Sequence, residues 1–178
     1  MVTAFGADDP LRSLANVVER AEVVRAQFAQ EKRIPGFDVP FRSSGRVVIV
    51  RHHGVVWFAM QPVESRTVMR TGPTGSGAVV ATLLSVMGGD VVGLGASFQL
   101  TLNAAPTPDV PAWALELTPK DDGIATVVKR IEVRGRRFVE LVTLTETSGD
   151  VTQLRLTGHT TATNPTPEEL REFTGQRD

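Results

Sequence analysis

Cysteine is absent from this 178-residue chain, which removes disulfides, thiolate metal sites and cysteine nucleophiles together. The compartment stays open, because exported proteins also manage without disulfides. A surplus of either charge is lacking too. With 19 basic and 20 acidic residues the net charge is −1, so no overall field draws in nucleic acid or an anionic membrane surface. No apolar run reaches bilayer-crossing length, and Met1-Val2-Thr3 is not followed by the charged head and apolar core of an export signal. The expectation is a soluble protein, either cytoplasmic or a mature exported form. The length suits one domain with a proper core, taken as residues 1–178.

The common signatures of chemistry are missing as well. Only His52, His53 and His159 are histidines, and no acidic residue stands at metal-ligand spacing with them on a helix. Adjacent residues of an extended chain point to opposite faces, so His52 and His53 do not easily share one ion and read as solvated turn residues. No serine lies in a nucleophile-elbow pattern. Asp121-Asp122 and Glu168-Glu169 fall in the first turns of expected helices, where the helix dipole already accounts for them. Gly72 to Gly77 has the glycine spacing of a phosphate loop, but Ala78 and Val79 follow where a lysine and a hydroxyl are needed, so it reads as a connector. No catalytic residue, metal or cofactor is expected.

What the chain has in abundance is apolar strand. Gly45 to Pro62 (GRVVIVRHHGVVWFAMQP) holds two runs rich in Val, Ile, Trp and Phe around Arg51-His52-His53-Gly54, the pattern of an antiparallel hairpin with Gly54 free to take a positive φ. Val47, Ile49 and Arg51 then share one face, as do Val55, Trp57 and Ala59. A guanidinium beside an apolar surface must find carbonyls or a carboxylate, or reach back to water.

Around the hairpin, Asp8-Asp9-Pro10 starts an amphipathic helix running to Ala21. Val24, Ala26 and Phe28 then alternate as a strand that fades near Ile34-Pro35-Gly36. Further strands are expected at 65–69, 98–102, 113–117, 130–133, 138–146 and 151–156, with a helical turn at 121–128 and a terminal helix at 167–173. Ala78 to Met87 reads as a short helix apolar most of the way round, broken by Gly88-Gly89 and followed by a short turn that Asp90 can cap. Ordinary core and a hinged lid over a cavity both account for it. Without regular βαβ alternation the class is antiparallel α+β.

The ordered set Val24-x-Ala26-x-Phe28-x-Gln30, then Gly45, Arg51, Trp57, Gln61 and Pro62, then Leu117-Thr118-Pro119-Lys120, then Ser148-Gly149-Asp150 resembles the LolA-like family of periplasmic lipoprotein carriers. The resemblance implies an incomplete, unclosed antiparallel β-barrel with short helices forming a lid. It implies a non-enzymatic, monomeric, periplasmic carrier that shields the acyl chains of a lipoprotein, served by an inner-membrane releasing complex and an outer-membrane acceptor. Under it, Phe28, Val47, Ile49, Val55, Trp57, Leu100, Leu115 and Val142 line the apolar interior, Leu83, Leu84 and Met87 belong to the lid, and Arg51 is the lid latch. The family places a turn and two strands between the Ser65 to Met69 region and the lid helix, whereas here a glycine loop leads straight to Ala78, shortening one side of the barrel. Another acylated or amphipathic lipid is the alternative cargo. A protein-interaction module with a filled core is the alternative of another class.

Overall fold

The computed structural model describes residues 10–70, 93–105, 107 and 112–174. Helix α1 (Pro10–Val17) is followed by β1 (Val23–Arg33), β2 (Phe41–Val50), β3 (Gly54–Gln61) and β4 (Ser65–Arg70). A 3-10 turn (Gly93–Ala96) then leads into β5 (Phe98–Ala104), β6 (Trp113–Pro119), the four-residue helix α2 (Asp122–Ala125), β7 (Val128–Gly135), β8 (Val139–Glu146), β9 (Val151–Ala162) and α3 (Pro167–Thr174). The strands make one nine-stranded sheet in the order β4-β3-β2-β1-β9-β8-β7-β6-β5, and every pairing is antiparallel. β4 and β5 are its two edges, so the barrel is unclosed, as expected.

Strand alternation divides the sheet into two faces of different chemistry. The inner face carries Val24, Ala26 and Phe28 of β1, Val47 and Ile49 of β2, Val55 of β3, and their counterparts on β5 to β9, in one cluster with Leu14 and Val18. On the outer face Val23, Val48, Val50 and Val56 form a second, smaller cluster with Phe173 of α3. The run 47–50 is therefore apolar at every position because α1 and α3 cover opposite faces of the same end of the sheet.

Local signals explain the helix starts. Asp121 accepts a hydrogen bond from the Ile124 amide at 3.0 Å and so caps α2. Thr166 and Glu169 cap α3 reciprocally: the Glu169 amide donates to Thr166 Oγ1 at 3.2 Å, and the Thr166 amide donates to Glu169 Oε2 at 2.8 Å. Glu169 also receives Arg25 from β1, through Nε and through Nη2 at 2.8 Å, which ties α3 to the outer face. β2 begins earlier and β9 runs later than their apolar residues foretell, through Phe41–Ser44 and Thr157–Ala162. Both extensions are polar stretches held in the ladder by β1. The expected glycine loop 71–77, the helix 78–87 and the Asp90 cap lie outside the described residues.

Gly45 is fixed by contact, since a Cβ there would fall 1.9 Å from the Phe58 carbonyl oxygen on β3. Gly45→Ala is expected to lower the unfolding free energy by about 1–3 kcal/mol, as forced overpacking does, measured by urea denaturation; an unchanged midpoint would contradict this packing. The Arg25 guanidinium, helped by the Thr166 contacts, holds the Glu169 carboxyl below its usual pKa against the opposing effect of burial. A lowered carboxyl pKa stabilises the fold above the unfolded value of 4.5, and that contribution is lost as pH falls through the lowered value. The stability gap between wild type and Glu169→Gln, on the order of 1 kcal/mol at pH 7, should therefore shrink as the pH drops below 4.5.

Candidate functional site

The inner face is buried at its centre and half-buried towards its edges. Phe28, Val47, Ile49, Val55, Leu115 and Val142 all belong to the inner cluster and are buried. Trp57 on β3, Met69 on edge strand β4, and Leu100 and Leu102 on edge strand β5 pack against that cluster but remain partly accessible. All eight expected interior residues thus fall on one face, and alternation was enough to put them there. Phe28 and Trp57 meet at a ring-centroid distance of 4.7 Å with planes tilted by 41°, a geometry suited to the ring quadrupoles.

Arg51 follows β2 and opens the three-residue turn before Gly54. The turn uses two unusual backbone positions, His52 at φ 64° and Gly54 at φ 136°. The Arg51 amide donates to the Glu22 carbonyl at 2.9 Å, and its Nη2 reaches the Ala21 carbonyl at 3.5 Å. The guanidinium therefore meets a backbone carbonyl of the α1–β1 link, the kind of partner expected of a charge beside an apolar face. The lid residues Leu83, Leu84 and Met87 lie outside the described residues.

One residue of this face was passed over in the sequence. β9 carries Gly158 at φ 62°, and its pairing with β1 slips between Arg25 and Gln27, which marks a β-bulge. The bulge turns His159 onto the inner face, where its ring stacks on Phe138 at 4.7 Å with an interplanar angle of 4°. His159 borders a void of about 10 Å³ together with Val24, Ala26, Ile49, Val139 and Leu156. Its Nε2 is buried without a hydrogen-bond partner among the described residues. Burial lowers the imidazole pKa, and a backbone hydrogen bond with Val139 and the charge of Glu140 oppose the shift. A neutral ring protonated at Nδ1 presents Nε2 as a bare acceptor. An unpaired buried acceptor of this kind costs about 1–3 kcal/mol. The available signal was glycine before histidine in a threonine-rich run continuing the Leu154, Leu156 alternation.

The outer face is polar beyond α3. A groove of about 700 Å³ there has Glu31, Arg42, Gln61, Gln153 and Arg155 among its lining residues, and Arg42 donates to Glu31 at 3.0 Å. At the end of the sheet away from α1 and α3, Phe37 and Val39 of the β1–β2 connection, Phe41 at the start of β2, and Met60 and Val63 beside the β3–β4 turn are 56–74% exposed. Among the described residues no group of three or more histidines and carboxylates could hold a metal ion. No helix among them is long and apolar enough to cross a membrane.

No family model matches the chain, and no curated protein matches it. Among solved structures it is similar to a LolA superfamily protein from Nitrosomonas europaea, at 11% identity and TM-score 0.43 over 88% of this chain and 93% of that one. It is also similar to a Vibrio parahaemolyticus domain named for outer membrane lipoprotein sorting, at 8% identity and TM-score 0.48 over 93% and 95% of the two chains. A third likeness is to the MucA/MucB complex of Pseudomonas aeruginosa, at 20% identity and TM-score 0.48 over 91% of this chain and 59% of that chain. The unclosed architecture itself is read from the strand order.

The centre and the edge of the inner face should respond differently to truncation. Phe28→Ala, at a buried ring, is expected to cost about 3–5 kcal/mol of unfolding free energy, and Leu100→Ala, at the half-buried edge, about 1 kcal/mol. Equal losses in urea denaturation would make the β5 edge part of a closed core.

Proposed function

We propose that this protein is a non-enzymatic carrier that shelters an acyl chain against the inner face of its unclosed sheet. The observation that carries this reading is the accessible apolar margin: Trp57 and Met69 near one edge, Leu100 and Leu102 on the other, all packed against a continuous apolar cluster. A barrel closed around its own core has no edges, whereas this sheet keeps half-buried hydrophobic side chains beside both of its own. An acyl chain gains about 0.8 kcal/mol per buried methylene, so a protein able to cover even part of it competes with a membrane for it. The finer reading follows the resemblance: the cargo is an acylated lipoprotein moved across the periplasm, Phe28, Val47, Ile49, Val55, Trp57, Leu100, Leu115 and Val142 line its path, and Arg51 holds the cover through backbone carbonyls. Another acylated or amphipathic lipid suits the same face.

A second reading, a module that docks on a protein partner, is favoured by the exposed cluster of Phe37, Val39, Phe41, Met60 and Val63. Apolar side chains gathered at one tip are what a recognition surface requires.

The two tryptophans separate these readings, because Trp113 is buried and donates to the Arg136 carbonyl at 2.6 Å while Trp57 is accessible on the inner face. Titration with acyl chains of increasing length should change the wild-type emission, tighten with each added methylene, and lose its signal in Trp57→Phe. No binding at any chain length by fluorescence or by calorimetry would move the assignment to the docking module.

A further inference from the structure

We propose that His159 selects among acylated ligands by accepting, at Nε2, a hydrogen bond from an N–H or O–H group attached to the chain. This rests on the carrier reading and names the ligand chemistry that the inner face prefers.

The geometry is specific. A hydrogen-bonding ring on an otherwise apolar surface has been put there by a bulge: Leu154 and Leu156 point inward, Gly158 takes a left-handed backbone conformation, and the register shift brings His159 to the same side. Bulges re-aim single side chains in this way. The ring is held by parallel stacking on Phe138. Its Nε2 has no partner among the described residues. The void beside it, about 10 Å³, is otherwise bordered by apolar side chains and the Val139 strand, and a buried water generally needs two or more polar partners to stay.

His159 also lies near the rim. Phe138 follows Arg137, whose guanidinium pairs with Glu19 at 2.7 Å and whose carbonyl accepts from the Glu19 amide at 2.7 Å. The stacked pair is therefore one residue from the point where the end of α1 is pinned to the β7–β8 connection. A polar group there meets the head of an amphipathic ligand, while the rest of the inner face meets its chain.

A neutral acceptor discriminates by donor. An amide or a hydroxyl on the chain satisfies Nε2, and an ester of the same length leaves it bare. The test is displacement of an apolar naphthylamine dye from the full chain by dodecanamide, dodecan-1-ol and methyl dodecanoate. Wild type should favour one or both donors over the ester by about 2- to 12-fold, the range a net neutral hydrogen bond provides, and which donor wins tells N–H from O–H. His159→Phe keeps the stacking surface and should erase the preference while still binding the ester; His159→Gln, which retains an acceptor, should restore part of it. In the wild type, the Nε2 resonance in a long-range proton–nitrogen spectrum should move with the preferred donor and stay in place with the ester. An equal affinity for all three ligands, or a preference unchanged in His159→Phe, overturns the role of His159 and leaves the carrier reading standing. Failure of all three to bind wild type overturns both.

Discussion

The whole arrangement depends on covering an apolar face that the sheet cannot cover by closing. Nine antiparallel strands with an inner surface of Val, Leu, Ile, Phe and Trp have two stable outcomes: closure, which removes the edges, or a cover made by other elements. Here β4 and β5 stay apart, so α1 and the 3-10 turn contribute Leu14, Val18 and Leu94 to the cluster, and the remaining margin is left half-buried. A surface covered by few contacts along its margin is inexpensive to uncover locally. On the carrier reading, that would link an incomplete barrel to a transferable ligand.

Much of this was legible in the residues. The hairpin at 45–62 could be recognised because both of its strands are apolar and its turn is not, and the face shared by Val47, Ile49, Val55 and Trp57 follows from the two-residue period alone. The ends of β2 and β9 were not legible, since Phe41–Ser44 and Thr157–Ala162 lack apolar alternation and are held by pairing with β1. Tertiary pairing overrode local pattern there. The same blindness hid His159, which as an isolated histidine far from the others carries no motif; its meaning arises from Gly158, the bulge and the neighbouring strand together. A guanidinium at the end of an apolar strand has few options, and that of Arg51 reaches the Ala21 carbonyl, while the lid it was expected to latch lies outside the described residues.

The two helices at one end give the sheet a gradient of support. Val23 and Val50 are covered on the outer face by the α3 cluster, and Val24 and Ile49 beside them are covered on the inner face by the cluster that holds α1. At the opposite end of β1 to β4, Phe37, Phe41 and Val63 are exposed, while at that end of β5 to β7 Ile124 of α2 and Leu94 of the 3-10 turn join the inner cluster. Hydrophobic stabilisation is thus concentrated where both faces are packed, and the outer cover is further fixed by Arg25 and Glu169.

The two covers differ in what holds them. α3 has a reciprocal cap, a bidentate ion pair and the buried Phe173. Among the described residues, α1 and the stretch just after it are held by Leu14, Val17 and Val18 at the inner cluster, by the Glu19 amide on the Arg137 carbonyl and by an ion pair with the exposed Arg137, and exposed pairs contribute little. Displacing α1 and the stretch after it takes aliphatic side chains such as Leu14 and Val18 from the cluster and leaves the strand ladder intact, whereas displacing α3 breaks charge-assisted bonds at the base of β1. On the carrier reading, an acyl chain entering beneath α1 would replace the contacts that Leu14 and Val18 give up with its own methylenes, an exchange nearly balanced in apolar area. Under the role proposed for His159, a ligand that brings a donor would then be favoured, since Nε2 is a buried side-chain atom without a partner among the described residues.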